Sequence, residues 1–262
     1  MENRKKLQRE HYNKNTERVK LNFLPFISQR KSGYSWVNPA LRSPYEFCEK
    51  ILLSNCGGKR LLDYGCGDGV FSIPPAKNNC YVVGVDISDG QINLAKKRAS
   101  YERCEKSTSF LVDDCEALKF SNEYFDIIFS AGTLSCLDLN NALSEMRRVL
   151  KNDGYVLIVD TLSHNPFLKL NRRIKMGRGL KTRWSVEHVL RMEDLKLMGE
   201  YFNKIEIRFF DLITPFAAPF CKKENGLVKL FKKIDKIMLK LRFLQKYAFK
   251  VVVLLAQPKH SF

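Results

Sequence analysis

The sequence predicts an α/β fold in which a parallel sheet is wrapped by helices. Two observations carry that prediction. Between Arg60 and Asp160, short β-branched apolar runs alternate with helical patterns. A glycine-rich turn, Gly65-Cys66-Gly67-Asp68-Gly69, follows the first of these runs, and an acidic residue closes the second. With 262 residues, 45% of them hydrophobic, and no repeat or low-complexity tract, the chain is expected to hold one domain with insertions.

The strands are predicted at 60–64, 81–86, 108–113, 124–130 and 155–160. Helices are predicted at about 88–103, with Ser88 or Asp89 as N-cap, and at about 139–151, closed by a turn at Asn152-Asp153-Gly154. Residues 161–191 are basic, break the rhythm, and are expected to form an insertion over the carboxyl edge of the sheet. A helix near 192–202 restores the pattern, and strands follow at 204–211 and 249–256. Between those two strands, residues 212–247 form a second insertion with Pro215, Pro219 and a long helix. Residues 1–45 are expected to be an N-terminal helical lid, and 46–262 the domain with its cap insertions.

The strand ends carry the chemistry. Glycines after Asp63 let the backbone approach a ligand where a Cβ would clash. Asp86, 21 residues beyond Gly65 at the end of the neighbouring strand, is placed to accept both hydroxyls of a ribose. Asp113-Asp114-Cys115 at the third strand end offers an acid and a backbone amide to an adenine edge, and Ser130-Ala131 at the fourth opens the cleft again.

At these residues the sequence resembles the class I S-adenosylmethionine-dependent methyltransferases. The likeness is firm over about 58–160 and loose over the last two strands. It implies a seven-stranded Rossmann-like sheet, mostly parallel with the last strand antiparallel, S-adenosyl-L-methionine as cofactor, and S-adenosyl-L-homocysteine as product. The segment 61–69, LLDYGCGDG, looks like the family's first motif. By that resemblance Asp63 sits near the methionine moiety and the backbone at Gly65 and Gly67 passes under the cofactor. Asp86 binds the ribose hydroxyls, Ile87 packs on adenine, Asp114 accepts from the adenine amino group, and Cys115 donates its main-chain N–H. The backbone near Ser130 holds the methionine end, and Tyr12 belongs to an N-terminal helix of the kind that closes over the cofactor.

Two departures stand out. Pro74-Pro75 falls where the family continues a helix, and should shorten it. Residues 133–138, TLSCLD, lack the His pair that many members carry. His164, after the fifth strand, is the remaining candidate for a base, set against a reading as a loop cap before Asn165-Pro166; His188 is weaker. A nicotinamide-dependent dehydrogenase also uses a glycine turn and a ribose-binding acid, but it calls for GxGxxG rather than Gly65-x-Gly67-x-Gly69.

Charge is unevenly placed. The formal net charge is +17, of which residues 1–60 contribute +8, residues 61–160 contribute −5, and residues 161–262 contribute +14. The helical pattern at 226–247 sets an apolar stripe (Leu227, Leu230, Phe231, Ile234, Ile237, Met238) against a lysine face. Packing on the domain, with lysines in water, is the plain expectation; peripheral contact with an anionic membrane, bringing the enzyme to an amphiphilic acceptor, is the functional one. The acceptor expected is a small molecule or a lipid-like biosynthetic intermediate. The alternative is an RNA or DNA methyltransferase using its basic flanks, disfavoured because no Asn/Asp-Pro-Pro-aromatic element follows the fourth strand and no RNA-binding module is attached.

Eight cysteines show neither CxxC pairs nor metal-ligand spacing with His, so reduced thiols and no metal are expected. The N-terminus has positive charge without an apolar core behind it, and no apolar run reaches the ~20 residues of a bilayer span, so a cytoplasmic, at most membrane-peripheral, protein is expected.

Overall fold

The computed structural model describes residues 2–20, 37–221 and 223–259, with the backbone alone at 17–20. Its elements in chain order begin with α1 (Glu2–Lys20), α2 (Ser43–Asn55), β1 (Arg60–Tyr64), α3 (Ile73–Lys77), β2 (Tyr81–Asp86), α4 (Asp89–Tyr101) and β3 (Thr108–Val112). They continue with β4 (Phe125–Ala131), α5 (Leu139–Val149), β5 (Leu150–Thr161), α6 (Pro166–Gly177), α7 (Arg183–Glu187) and α8 (Met192–Tyr201). The chain closes with β6 (Phe202–Phe210), α9 (Gly226–Met238), α10 (Arg242–Gln245) and β7 (Lys250–Pro258).

The seven strands form one sheet in the order β3-β2-β1-β4-β5-β7-β6. The pairs from β3 across to β5 are parallel, and β7 runs antiparallel to both β5 and β6. Chain order reverses between β1 and β4, so their connections leave on opposite faces and a crevice opens at their carboxyl ends. Both faces are covered. Leu62, Tyr64, Val156 and Ile158 pack with α5 and α8 on one side, while Leu61, Ile127, Leu157 and Val159 pack with α2 and α4 on the other. This two-residue alternation explains why the strands read as continuous apolar runs.

Three expectations change. The predicted turn at 152–154 lies inside β5: Leu150 already pairs with Phe125, and the register shifts before Ile127 meets Tyr155, so these residues form an irregularity in the strand. The helix expected over 226–247 is broken at 239–241 into α9 and α10. Its apolar stripe is only partly packed: Phe231 lies against the cluster of Ala40, Ala217 and Cys221 with Val228, which is outside the predicted stripe, whereas Leu227, Leu230 and Ile237 are exposed. The two prolines act as expected, since α3 is five residues long with Pro74 and Pro75 in its first turn.

Of the N-terminal region, α1 and the start of α2 are described, and 21–36 lie outside the described residues. All eight cysteines are free, seven of them buried. Among the described residues no His, Cys, Asp or Glu group is clustered as metal ligands, and no helix is long and apolar enough to cross a membrane.

Candidate active site

The crevice at the β1/β4 switch contains a cavity of about 270 Å³, and the strand ends wall it. Gly65, at φ +76°, turns the chain out of β1; a Cβ there would sit 2.3 Å from Thr133 Cγ2, so the loops after β1 and β4 touch only because residue 65 is glycine. The turn is tied to β2: the Cys66 N–H donates to the Val85 carbonyl at 2.9 Å, and the Gly67 N–H donates to Asp86 Oδ2 at 3.0 Å. The Ser88 N–H donates to Asp86 Oδ1 at 2.9 Å, fixing the carboxylate from its other side. Ser88 Oγ caps α4 by accepting the Gln91 N–H. Burial pushes the Asp86 carboxyl up to about 6, with the Ser88 and Gly67 N–H groups opposing the rise.

The loop after β3 supplies the next wall. Tyr64 Oη donates to the Cys115 carbonyl, and Asp113 accepts the N–H groups of Asp114 and Lys119, which holds Asp114, Cys115 and Glu116 toward the cavity. Helix α1 roofs the space. Its Arg4, Gln8 and Tyr12, spaced four apart on one face, line the cavity with Lys5. Arg4 Nη2 donates to both Glu116 oxygens at 2.5 and 2.7 Å, and Lys5 Nζ to Asp114 Oδ2 at 2.5 Å. The far end of α1 is pinned by Asn13 Oδ1, which accepts from Ser88 Oγ at 2.5 Å and the Gly90 N–H at 3.1 Å.

Of the residues singled out from the sequence, Tyr12, Gly65, Gly67, Asp86, Ile87, Asp114 and Cys115 line this one cavity. Asp63 and Ser130 do not. Asp63 is buried beneath the turn, where Ser72 Oγ donates to it at 2.5 Å and burial pushes its carboxyl up to about 7. Ser130 is buried in β4, and the residues after it, Ala131, Gly132 and Thr133, form the wall. His164 lines a different cavity, and its Nε2 accepts the Met192 N–H at 3.3 Å, at the start of α8 rather than in the loop before Asn165-Pro166. Trp184 lies under the Arg4 guanidinium and stacked on His188; Trp36 lies outside the described residues. Sequence reasoning missed Arg4, Lys5, Gln8, Glu116 and Cys136; the four-residue spacing of Arg4, Gln8 and Tyr12 was the signal for the roof.

The walls suit a particular chemistry. Of the carboxylates on the wall, Asp68, Asp114 and Glu116 are ion-paired with Arg98, Lys5 and Arg4, so Asp86, held by backbone N–H groups, is the acceptor set toward a ligand's hydroxyls. Gln8, 4% exposed, has neither amide atom hydrogen-bonded to any described residue, leaving a polar group at the wall for a ligand to satisfy.

A doubly covered sheet of this order, with this glycine turn and strand-end carboxylates, is the arrangement that the sequence resemblance to the class I S-adenosylmethionine-dependent methyltransferases implies. Residues 62–158 match the family model described as a methyltransferase domain. Over 116 residues the chain is 32% identical to demethylmenaquinone methyltransferase of Bacteroides fragilis, covering 42% of this chain and 46% of that one. Over 143 residues it is 35% identical to ubiquinone biosynthesis O-methyltransferase of Coxiella burnetii, covering 50% of this chain and 58% of that one. The chain thus matches about half the length of these curated relatives. In fold it is similar to geranyl diphosphate C-methyltransferase of Streptomyces coelicolor, solved with geranyl diphosphate and S-adenosyl-L-homocysteine, at TM-score 0.57 and 18% identity over 82% of this chain and 80% of that one.

Proposed function

We propose that this protein is an S-adenosylmethionine-dependent methyltransferase acting on a small-molecule or lipid-like acceptor. The observation that carries the reading is the Asp86 carboxylate, held by two backbone N–H groups beside the Gly65–Gly67 turn at the mouth of the β1/β4 crevice. When bound, the cofactor supplies an electrophilic methyl group on a sulfonium. Asp86 accepts the ribose hydroxyls, Ile87 covers the adenine, and the backbone at Gly65 and at Ala131–Thr133 flanks the methionine end. Asp114 and the Cys115 N–H take the adenine edge, with Lys5 sharing Asp114. Gln8 and Tyr12 close the roof and exclude water. In-line displacement draws most of its rate from such alignment.

Calorimetry with S-adenosyl-L-homocysteine tests the cofactor reading. Asp86→Ala removes a charge-assisted contact worth about 1.5–3 kcal/mol, so affinity should fall by roughly ten- to a hundredfold. Unchanged affinity refutes the assignment.

The acceptor is reached from a membrane surface. Phe167 on α6 packs edge-on against Phe216, joining the two insertions, and Ile174, Phe220, Ile237 and Phe243 of these insertions are exposed. Phe220 is 83% exposed, and the same stretch of sequence carries the +14 net charge, which complements an anionic bilayer. Sedimentation with vesicles tests it: binding to phosphatidylglycerol-containing vesicles should exceed binding to pure phosphatidylcholine, and Phe220→Ser with Phe243→Ser should weaken it. Equal, salt-abolished binding to vesicles and RNA would transfer the basic face to the nucleic-acid reading.

A further inference from the structure

The first insertion buries positive charge at the carboxyl edge of the sheet without supplying its counter-charge. Arg172 of α6 reaches inward: its Nη2 donates to the Ser185 carbonyl at 2.7 Å and lies 3.5 Å from Ser135 Oγ, and its Nε is buried with no hydrogen-bond partner among the described residues. Ser135 precedes Cys136, whose thiol meets Tyr12 Oη at 3.3 Å on the wall of the cavity, so Arg172 stands directly behind that wall. Lys181, between α6 and α7, is half-buried and makes neither a hydrogen bond nor an ion pair with any described residue. Its ammonium feels the charges of Arg172, Asp160 and Lys250, and it also acts on His11 of α1. Lys250, at the start of β7 and 8% exposed, lies over the rings of Tyr45 and Phe249 and has no ion pair among the described residues.

Two carboxylates act on these three cations, Asp211 on Lys250 and Asp160 on Lys181 and Arg172. Asp160, at the end of β5, spends Oδ1 on the Thr161 N–H at 2.6 Å and Oδ2 on the Leu134 N–H at 3.2 Å. No cation forms an ion pair with it among the described residues. Residues 21–36 contain Arg30 and Lys31 and no acid, so that segment of chain holds no side-chain carboxylate to offer. Burial lowers the Lys181 and Arg172 affinities for their protons, and Arg172 lowers that of Lys181 further, with Asp160 opposing in both, which is the cost of desolvated cations that share one carboxylate and pair with none.

Resting on the methyltransferase reading above, we infer that Arg172 and Lys181, backed by Lys250, bind an anionic group of the methyl acceptor, a phosphate ester or a carboxylate, beside the Tyr12–Cys136 wall of the cavity. In the cavity the Asp86 carboxylate has no ion pair among the described residues and the edge beside it gathers cations, so the two ligands are sorted by charge: the cationic donor beneath α1 and the anionic acceptor beneath the first insertion. The guanidinium supplies a planar fork and the lysine a compact point charge, a pair suited to a tetrahedral or planar oxyanion.

The test is calorimetric titration of the protein saturated with S-adenosyl-L-homocysteine, using phenyl phosphate in one arm and benzoate in the other. One probe or both should bind at one site per chain; the tighter arm names the acceptor's anion. Lys181→Gln and Arg172→Gln should each weaken that binding about tenfold or more, whereas Lys106→Gln, on an exposed turn before β3, should leave it unchanged. In the wild-type protein the bound probe should slow acetylation of Lys181 relative to exposed lysines, a readout that needs no variant. Absence of saturable binding in both arms, or variants indistinguishable from Lys106→Gln, overturns the inference while cofactor binding stands. Failure to bind S-adenosyl-L-homocysteine at all takes down the methyltransferase reading and the acceptor assignment with it.

Discussion

Helix α1 offers the sharpest test of how the site is closed. Its 19 residues, ENRKKLQREHYNKNTERVK, hold Leu7, Tyr12 and Val19 as the sole large apolar side chains, and Leu7 is exposed. Apolar burial therefore contributes little to seating it, and the polar contacts of Arg4, Lys5 and Asn13 must do so. Arg4→Met removes a bidentate pair to Glu116, whose side chain is 1% exposed, and the 3.2 Å bond from Arg4 Nη1 to the Cys136 carbonyl. Glu116 keeps the Asp138 N–H at 2.9 Å and Lys5 at 3.4 Å, so the loss is that of a charge-assisted bond, about 1.5–3 kcal/mol, rather than of a fully orphaned charge.

That range raises the open population of α1 by roughly ten- to a hundredfold. Amide hydrogen exchange reads it directly. Residues 2–16 should lose protection by that factor in Arg4→Met while β1 and β4 amides exchange as before. The buried Arg4–Glu116 pair should resist salt, whereas the half-exposed Lys5–Asp114 pair should weaken with it. Two results refute the reasoning: α1 protection unchanged in Arg4→Met, or protection lost equally throughout the sheet.

Gly65→Ala should cost about 1 kcal/mol for its φ of +76° plus a larger steric penalty from Thr133, lowering both melting temperature and cofactor affinity. Thr133→Gly in the same background should recover the steric part alone, and a double-mutant cycle in urea denaturation checks the coupling. Asp211 is buried at φ +61° with Oδ2 unpartnered, and burial, with Asp235 nearby, pushes its carboxyl up to about 7. Because the folded-state value is raised, its stabilising contribution is complete below about pH 4 and is lost as pH rises through about 7, at most on the order of 4 kcal/mol. Asp211→Asn, which tolerates that backbone conformation, should therefore raise the melting temperature at pH 8 more than at pH 5. An equal effect at both would show that the charge is not what is strained.

Much of the donor side of the site was legible because the strands announce themselves. An apolar run with a two-residue alternation has a definite end, and a carboxylate or glycine at that end lies at the carboxyl edge of a parallel sheet, as Gly65, Asp86 and Asp114 do. Asp63 shows the limit of that rule. One residue short of the end, it shares a face with Leu61 rather than Tyr64 and is buried under the turn. The pattern of 139–151 is helical throughout, yet Leu150 is drawn into the sheet by Phe125, a pairing 25 residues distant that local periodicity cannot register.

The proposed acceptor side was legible as a charge and not as a site. A net +14 over residues 161–262 is plain in the sequence, but Lys181 stands between Leu180 and Thr182 with no period to mark it inward, and Leu180 beside it is exposed. What sets it apart from the solvent-facing lysines of α9 is the turn between α6 and α7. Asn165 caps the first of those helices and Thr182 the second, so the chain reverses over the end of β5 and carries Lys181 toward Asp160. The two caps are local and readable; the carboxylate they aim at, already bound by two backbone N–H groups, belongs to the tertiary fold. Desolvating a lysine beside an engaged carboxylate gains nothing for folding, so the position is best accounted for by what the folded protein binds there.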